Sequence, residues 1–374
     1  MSTQSSKVRP QHSRESDGPV VAVTGAGTGV GRALVERLRT NTVPGAVGGI
    51  VAIDDHSDEV EGVTWEVTDI CDPRLAPLLS GVDVLVHAAD DRSLESTPAE
   101  RRAYNVRAAQ TVLTAAAAQR VSRVILLTST MVYGAAPDNP VPLPEDSPLS
   151  AELGAGLVGD FAEVEDLART ARRAHPGLSV TVVRPAPLVV PGMDTLLTRH
   201  FAAPRLLTVK GREQAWQFCH VEDLASALEF VIVHEVDGKD GALAVGCDGA
   251  LSQSDAEEIA GLRSFDVPAN VALGATQRLH RVGITPASGS EMKFLVYPCV
   301  VDCATLREAG WRPEYDNETS LRALLDARTG KHALVGRNLG RKEVTITAAS
   351  AAGAAVAAVG TTAAIRYLRK RRRG

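Results

Sequence analysis

Val20-Val-Ala-Val-Thr24-Gly25-Ala-Gly27-Thr28-Gly29-Val30-Gly31-Arg-Ala-Leu34 reads as strand, glycine turn and helix in one stretch. Val20–Val23 is continuously apolar rather than alternating, as a strand covered on both faces must be. From Val30 the period changes: Val30, Ala33, Leu34 and Leu38 fall on one helical face. Further apolar runs follow at Ile50–Ile53, Val82–Val86, Val124–Leu127 and Val180–Val183, with helical patterns between them such as Asn105–Arg120. This alternation predicts an α/β fold with a doubly wound parallel sheet. Beyond Pro185 the regularity loosens, broken by Pro187, Pro191, Pro204, Pro268, Pro286 and Pro298. The expected organisation is a flexible polar start (1–18), a nucleotide-binding domain (19–185), a smaller lobe partly intertwined with it (186–330), and a tail (331–374).

Glycine at these positions lets the backbone turn tightly and approach a pyrophosphate, whose charge then faces the free N–H groups of the helix start. Gly25, Gly27, Thr28, Gly29, Val30 and Gly31 are therefore the candidate cofactor loop. Asp54 ends the next apolar run, 23 residues beyond Gly31. An acid there accepts hydrogen bonds from the adenosine ribose and repels a 2′-phosphate, which favours NAD over NADP. The domain is thus expected to be of the Rossmann type.

With that turn in place, the chain from about Pro19 to Ala327 resembles the extended short-chain dehydrogenases/reductases, the NAD-dependent epimerase/dehydratase family. Thr24-Gly-x-x-x-Gly29-x-Gly31 is similar to the glycine pattern of short-chain dehydrogenases/reductases. Val86-His87-Ala88-Ala89, Tyr104-Asn105-Val106, Thr128-Ser129-Thr-Met-Val-Tyr133-Gly134, Arg184-Pro185, Phe218-Cys-His220-Val-Glu-Asp223 and Asp302 with Gly310-Trp311-Arg-Pro313 resemble its later landmarks. The resemblance implies that Asp69 and Ile70 meet adenine, that His87, Ala88 and Ala89 line the cofactor, and that Ser129 is the catalytic serine. Two positions depart from the pattern: Thr28 stands where the extended branch has glycine, and Asp90 puts a carboxylate where the cofactor phosphates pass.

A third departure concerns the chemistry. The family's redox step uses a Tyr with a Lys four residues later, whose charge lowers the phenol pKa for proton exchange. None of the seven lysines has a tyrosine four residues before it. In the matching stretch, Leu157-Val-Gly-Asp160-Phe161-Ala-Glu163-Val-Glu165, Leu157 stands for the Tyr and Phe161 for the Lys. Tyr133, Asp160, Glu163 and His220 are the neighbouring groups from which a relocated acid or base can be drawn. Two readings stay open: an NAD-binding protein that has lost the chemistry, and an active epimerase, dehydratase or oxidoreductase that uses Ser129 with a relocated acid/base. The residues by which the family holds a sugar-nucleotide diphosphate are also replaced, by Pro187 and Trp216.

Composition limits the partners. The net charge is −5, and six positives (Arg366, Arg369, Lys370, Arg371, Arg372 and Arg373) sit in the last nine residues. The remaining chain, with 34 basic against 45 acidic residues, stands at −11, so the body is not expected to bind nucleic acid. The five cysteines form no metal-ligand spacing, and the start has no apolar leader, so a cytoplasmic protein is expected. Residues 344–365 are uncharged and Ala-rich ahead of the basic end, which leaves three readings open: association with an anionic membrane surface, a flexible soluble tail, or a membrane span. A small-molecule substrate and a homodimer follow from the family resemblance.

Overall fold

The computed structural model describes residues 18–335, apart from 28, 42, 44, 59, 95, 152–155 and 270–287. The Thr28 position and the basic tail lie outside the described residues. Six strands open the chain: β1 (Val20–Thr24), β2 (Gly49–Asp54), β3 (Thr64–Val67), β4 (Val84–His87), β5 (Arg123–Leu127) and β6 (Ser179–Pro185). With Ala242–Val245 they form one seven-stranded sheet in the order Ala242–Val245, β6, β5, β4, β1, β2, β3, and every pairing is parallel. The order reverses between β1 and β4, so a crevice opens there at the carboxyl ends of the strands.

Helices cover both faces, as the continuous apolar runs require. On one face α1 (Gly29–Thr40) packs Leu34, Val35 and Leu38 into a core with Val21, Val23 and Val86. On the other, α2 (Leu75–Leu78), α3 (Pro98–Gln119) and α4 (Gly156–Ala174) enclose Ala22, Leu85 and Val124. Helix α3 begins where the sequence tells it to. Thr97 and Glu100 cap each other's backbone N–H groups, and Pro98 takes the first position, where no N–H is needed.

After Pro185 the chain builds α5 (Leu196–Ala202) and a second core around Phe201, Leu206, Trp216, Phe218 and Leu321. It then returns to the large sheet. Helix α6 (Val221–Val233) packs Leu224, Leu228 and Val231 beside α1, and Ala242–Val245 adds the edge strand next to β6. The sequence stretches 19–185 and 186–330 are therefore intertwined in space. Asp223 fastens the end of the chain to α6, accepting the Glu314 and Tyr315 N–H groups at 2.8 and 3.1 Å. Trp311 Nε1 donates to Ser226 on the same helix at 2.8 Å. Among the described residues no helix is long and apolar enough to cross a membrane.

Arg101 on α3 and Asp160 on α4 form an ion pair at 3.0 Å, with both side chains 2% exposed. Burial raises the Asp160 pKa against the pull of Arg101. Removing one partner leaves the other charge buried and uncompensated, which costs about 3–5 kcal/mol. Asp160→Ala is expected to lower the urea midpoint accordingly. A variant as stable as the parent would show that the α3–α4 contact does not depend on this pair.

Candidate cofactor and active site

The glycine turn joins β1 to α1 at the crevice. A Cβ on Gly31 would lie 2.0 Å from the Gly25 carbonyl oxygen, so a side chain there would force the helix start away from the turn. Gly25 has φ +70°, and its missing Cβ would meet the Ala89 Cα at 2.8 Å. The turn and the end of β4 thus touch backbone to backbone.

Asp54 closes β2 beside the turn. Its Oδ2 accepts the Gly27 N–H at 2.8 Å, and its Oδ1 accepts the Asp55 N–H at 2.8 Å. The sequence reading missed His56, whose ring lies over Gly27. Its Nδ1 is 2.6 Å from Asp55 and 3.5 Å from Asp54, and the Asp55 hydrogen bond raises the imidazole pKa. The only signal for it in the sequence was a basic residue within two positions of the acid. Asp55 itself is well exposed. Past the end of β3, Asp69 is exposed and accepts the Cys71 N–H at 2.8 Å, and Ile70 is buried. His87 ends β4 opposite Thr24, with Nδ1 2.8 Å from the Thr24 hydroxyl. The carboxyl ends of four neighbouring strands therefore bring Asp69 and Ile70, Asp54, the glycine turn, and His87–Ala89 together along one edge.

Ser129 follows β5, the next strand along. It is 2% exposed, starts a short 3₁₀ turn (Thr130–Tyr133), and accepts the Met131 N–H at 3.2 Å. Leu157 and Phe161, one helical turn apart, share a face of α4. Phe161 is 1% exposed and packs with Val132, Tyr133 and Leu143, with Leu157 against the same cluster. Neither of these two side chains can give or take a proton.

The neighbouring ionisable groups are already engaged. Tyr133 donates to the Glu145 carbonyl at 2.6 Å and accepts from Arg184 at 2.8 Å, and burial pushes its pKa up to about 12. Glu163 pairs with Arg102 at 2.7 Å, and Asp160 is held by Arg101. His220 caps α6 and stacks on Tyr315 at 3.7 Å between ring centres. Each of these four therefore already has a partner in the fold. On the substrate side, Trp216 is buried and donates Nε1 to Gln253 at 2.9 Å, while Arg212 reaches the Pro137 carbonyl.

A cation nevertheless reaches the Phe161 position. Arg92 extends across the ends of β4 and β5. Nε donates to Asp90 Oδ2 at 2.7 Å, Nη2 donates to the Thr128 carbonyl at 2.9 Å, and Cζ lies 4.8 Å from the Phe161 ring centre. Asp90, which alone would repel a phosphate, is thereby neutralised. The sequence reading weighed Asp90 without the arginine two residues beyond it.

The family model described as "NAD dependent epimerase/dehydratase family" matches residues 21–246, through the glycine turn, Ser129 and both return segments. The chain belongs to the NAD-dependent epimerase/dehydratase family. NAD is accordingly its cofactor. An uncharacterized protein of Mycobacterium tuberculosis is 31% identical over 306 residues, covering 79% of this chain and 80% of that protein. A 4-hydroxy-2-methyl-3-oxo-4-farnesyl-3,4-dihydroquinoline-1-oxide ketoreductase of Stigmatella aurantiaca is 28% identical over 236 residues, 61% of this chain and 68% of the enzyme. Among solved structures, UDP-glucose 4-epimerase of Thermotoga maritima with UDP-glucose shares the fold, with a TM-score of 0.61. It is 16% identical and is matched over 83% of this chain and 99% of its own.

Two buried histidines are expected to give the fold a stability that falls in acid. Desolvation pulls His87 and His200 down to about 4. His200 lies against Phe201 and Trp216, and among the described residues neither of its ring nitrogens has a hydrogen-bond partner. Unfolded, both rings protonate near the ordinary value of about 6.5. Between the two values the unfolded chain holds more protons, so stability falls as the pH falls. Each ring contributes a slope of up to about 1.4 kcal/mol per pH unit, which vanishes below the folded value. His200→Phe is expected to flatten this slope by roughly one proton's worth in urea titrations across the window. An unchanged slope would mean that His200 is not held neutral in the fold.

Proposed function

We propose that this protein binds NAD along the glycine turn, Asp54, Asp69 and His87–Ala89, and has given up the family's standard proton relay. It works as an NAD-occupied binding module, or through chemistry that does not pass through positions 157 and 161. The observation that carries this reading is the apolar pair Leu157 and Phe161 packed against Val132 and Tyr133 of the turn that follows Ser129. A phenol and an ammonium are needed there to exchange a proton with a substrate hydroxyl, and losing such a pair typically costs about 10²–10⁴ in rate. The engagement of Tyr133, Asp160, Glu163 and His220 supports it further. A sugar nucleotide is disfavoured as substrate, because Pro187 has no side-chain donor and the Trp216 indole N–H is already given to Gln253.

A second reading has its own support. Ser129 is retained, the adjacent Thr130 hydroxyl is buried without a partner among the described residues, and a ketoreductase is among the relatives. In that case the protein reduces a carbonyl with Ser129 as hydrogen-bond donor.

Titration calorimetry of the full chain separates these cases. Saturable NAD binding is expected, with NADP at least about tenfold weaker because a 2′-phosphate meets Asp54. Asp54→Ala should weaken NAD and narrow that gap. No NADH consumption is expected with a panel of nucleotide sugars and ketones. Turnover abolished by Ser129→Ala would establish the second reading, and failure of the wild type to bind NAD would overturn both.

A further inference from the structure

Arg92 and Asp90 form a pair whose outward atoms the fold leaves unused. The Arg92 side chain is 10% exposed and that of Asp90 19%. Arg92 spends Nε and Nη2 on Asp90 Oδ2 and on the Thr128 carbonyl. Among the described residues, Nη1 and Asp90 Oδ1 have no hydrogen-bond partner. Neither is among the buried side-chain atoms that lack one, so both retain access to solvent.

The place of the pair is fixed from three sides. Asp90 follows Ala89, which abuts Gly25 of the glycine turn. Thr128, which accepts from Arg92, immediately precedes Ser129. Phe161 lies under the guanidinium. The pair therefore sits between the glycine turn and Ser129, on the side of the crevice away from Asp54 and Asp69.

We propose that Asp90 and Arg92 together hold the ribose diol of the nicotinamide half of NAD, through Arg92 Nη1 as donor and Asp90 Oδ1 as acceptor. The inference rests on the NAD-binding reading above and names the residues that grip the far half of the cofactor. A neutral ion pair with one free donor edge and one free acceptor oxygen matches neighbouring hydroxyls, each of which both donates and accepts. It suits a phosphate poorly, since the carboxylate would face the anion. The pairing also gives the carboxylate near the phosphate path a use. Phe161 is then a platform that orients the guanidinium, so the position of the lost lysine still serves a cation delivered from another strand.

The test is calorimetry of the full chain with NAD and with ADP, which lacks the nicotinamide riboside. It compares wild type, Arg92→Lys and the double variant Asp90→Ala/Arg92→Met, which removes the acceptor and the donor without leaving an unpaired charge. Thermal melting checks that each variant is folded. The double variant should bind NAD about tenfold more weakly, about the loss of one or two good hydrogen bonds, and ADP within about twofold of wild type. Arg92→Lys, which keeps a donor, should fall between the two for NAD. Unchanged NAD affinity in the double variant would overturn the proposal. Equal weakening of NAD and ADP would also overturn it, by placing the contact on a phosphate. A wild type that binds neither nucleotide would instead remove the underlying NAD reading, and it is the one outcome in which the parent protein itself fails.

Discussion

Glu165 and Arg184 form an ion pair inside the protein on which the arrangement of the site depends. Arg184 on β6 reaches Glu165 on α4 through Nε at 2.9 Å and Nη2 at 2.6 Å, a two-pronged contact in which the carboxylate is 4% exposed. The same carboxylate accepts the Thr128 hydroxyl at 3.0 Å, and the same guanidinium donates to Tyr133. One buried pair thus joins α4, β5, β6 and the turn after Ser129. Two charges removed from water stay compensated only in one geometry, so α4 is held in one orientation against β6 and the end of β5, with Phe161 packed on Val132 and Tyr133.

On α4, Phe161 is buried with Val132, Tyr133 and Leu143, and Leu157 packs partly exposed against the same cluster. The charge at Phe161 comes from Arg92, on the loop after β4. A guanidinium over an aromatic face gains roughly 0.5–2 kcal/mol, more as water is excluded, and this one is also tied to Asp90 and the Thr128 carbonyl. The result is a crevice in which the glycine turn meets Asp54 and Ala89, while Tyr133, Asp160, Glu163 and His220 each hold a partner within the fold.

The parallel sheet was legible because its inner strands are covered on both faces and so must be apolar throughout. β1, β2, β4, β5 and β6 announce themselves this way. β3 (Thr64-Trp-Glu-Val67) lies at the sheet edge with its side chains partly exposed, so no apolar run was required of it and none marks it. The opposite edge, Ala242–Val245, is four residues long and separated from β6 by α5, α6 and the second core. Nothing local in the sequence says that this segment returns to the first sheet. In the crevice, the glycines and Asp54 were readable because backbone approach and ribose recognition dictate residue type at fixed offsets. His56 and Arg92 were not, because an exposed histidine or arginine in a loop is compatible with many surroundings.

The sequence by itself determined the glycine turn, the doubly wound sheet, the family, and the absence of any Tyr-x-x-x-Lys pair. Each of these is a matter of residue type at a spacing set by strand, turn or helix geometry. Only the tertiary structure decided what became of the chemistry. It locked Tyr133, Asp160, Glu163 and His220 into contacts from distant segments, neutralised Asp90, and laid Arg92 on Phe161. These outcomes depend on which side chains the fold brings within hydrogen-bonding distance across dozens of intervening residues. Local spacing carries no record of that.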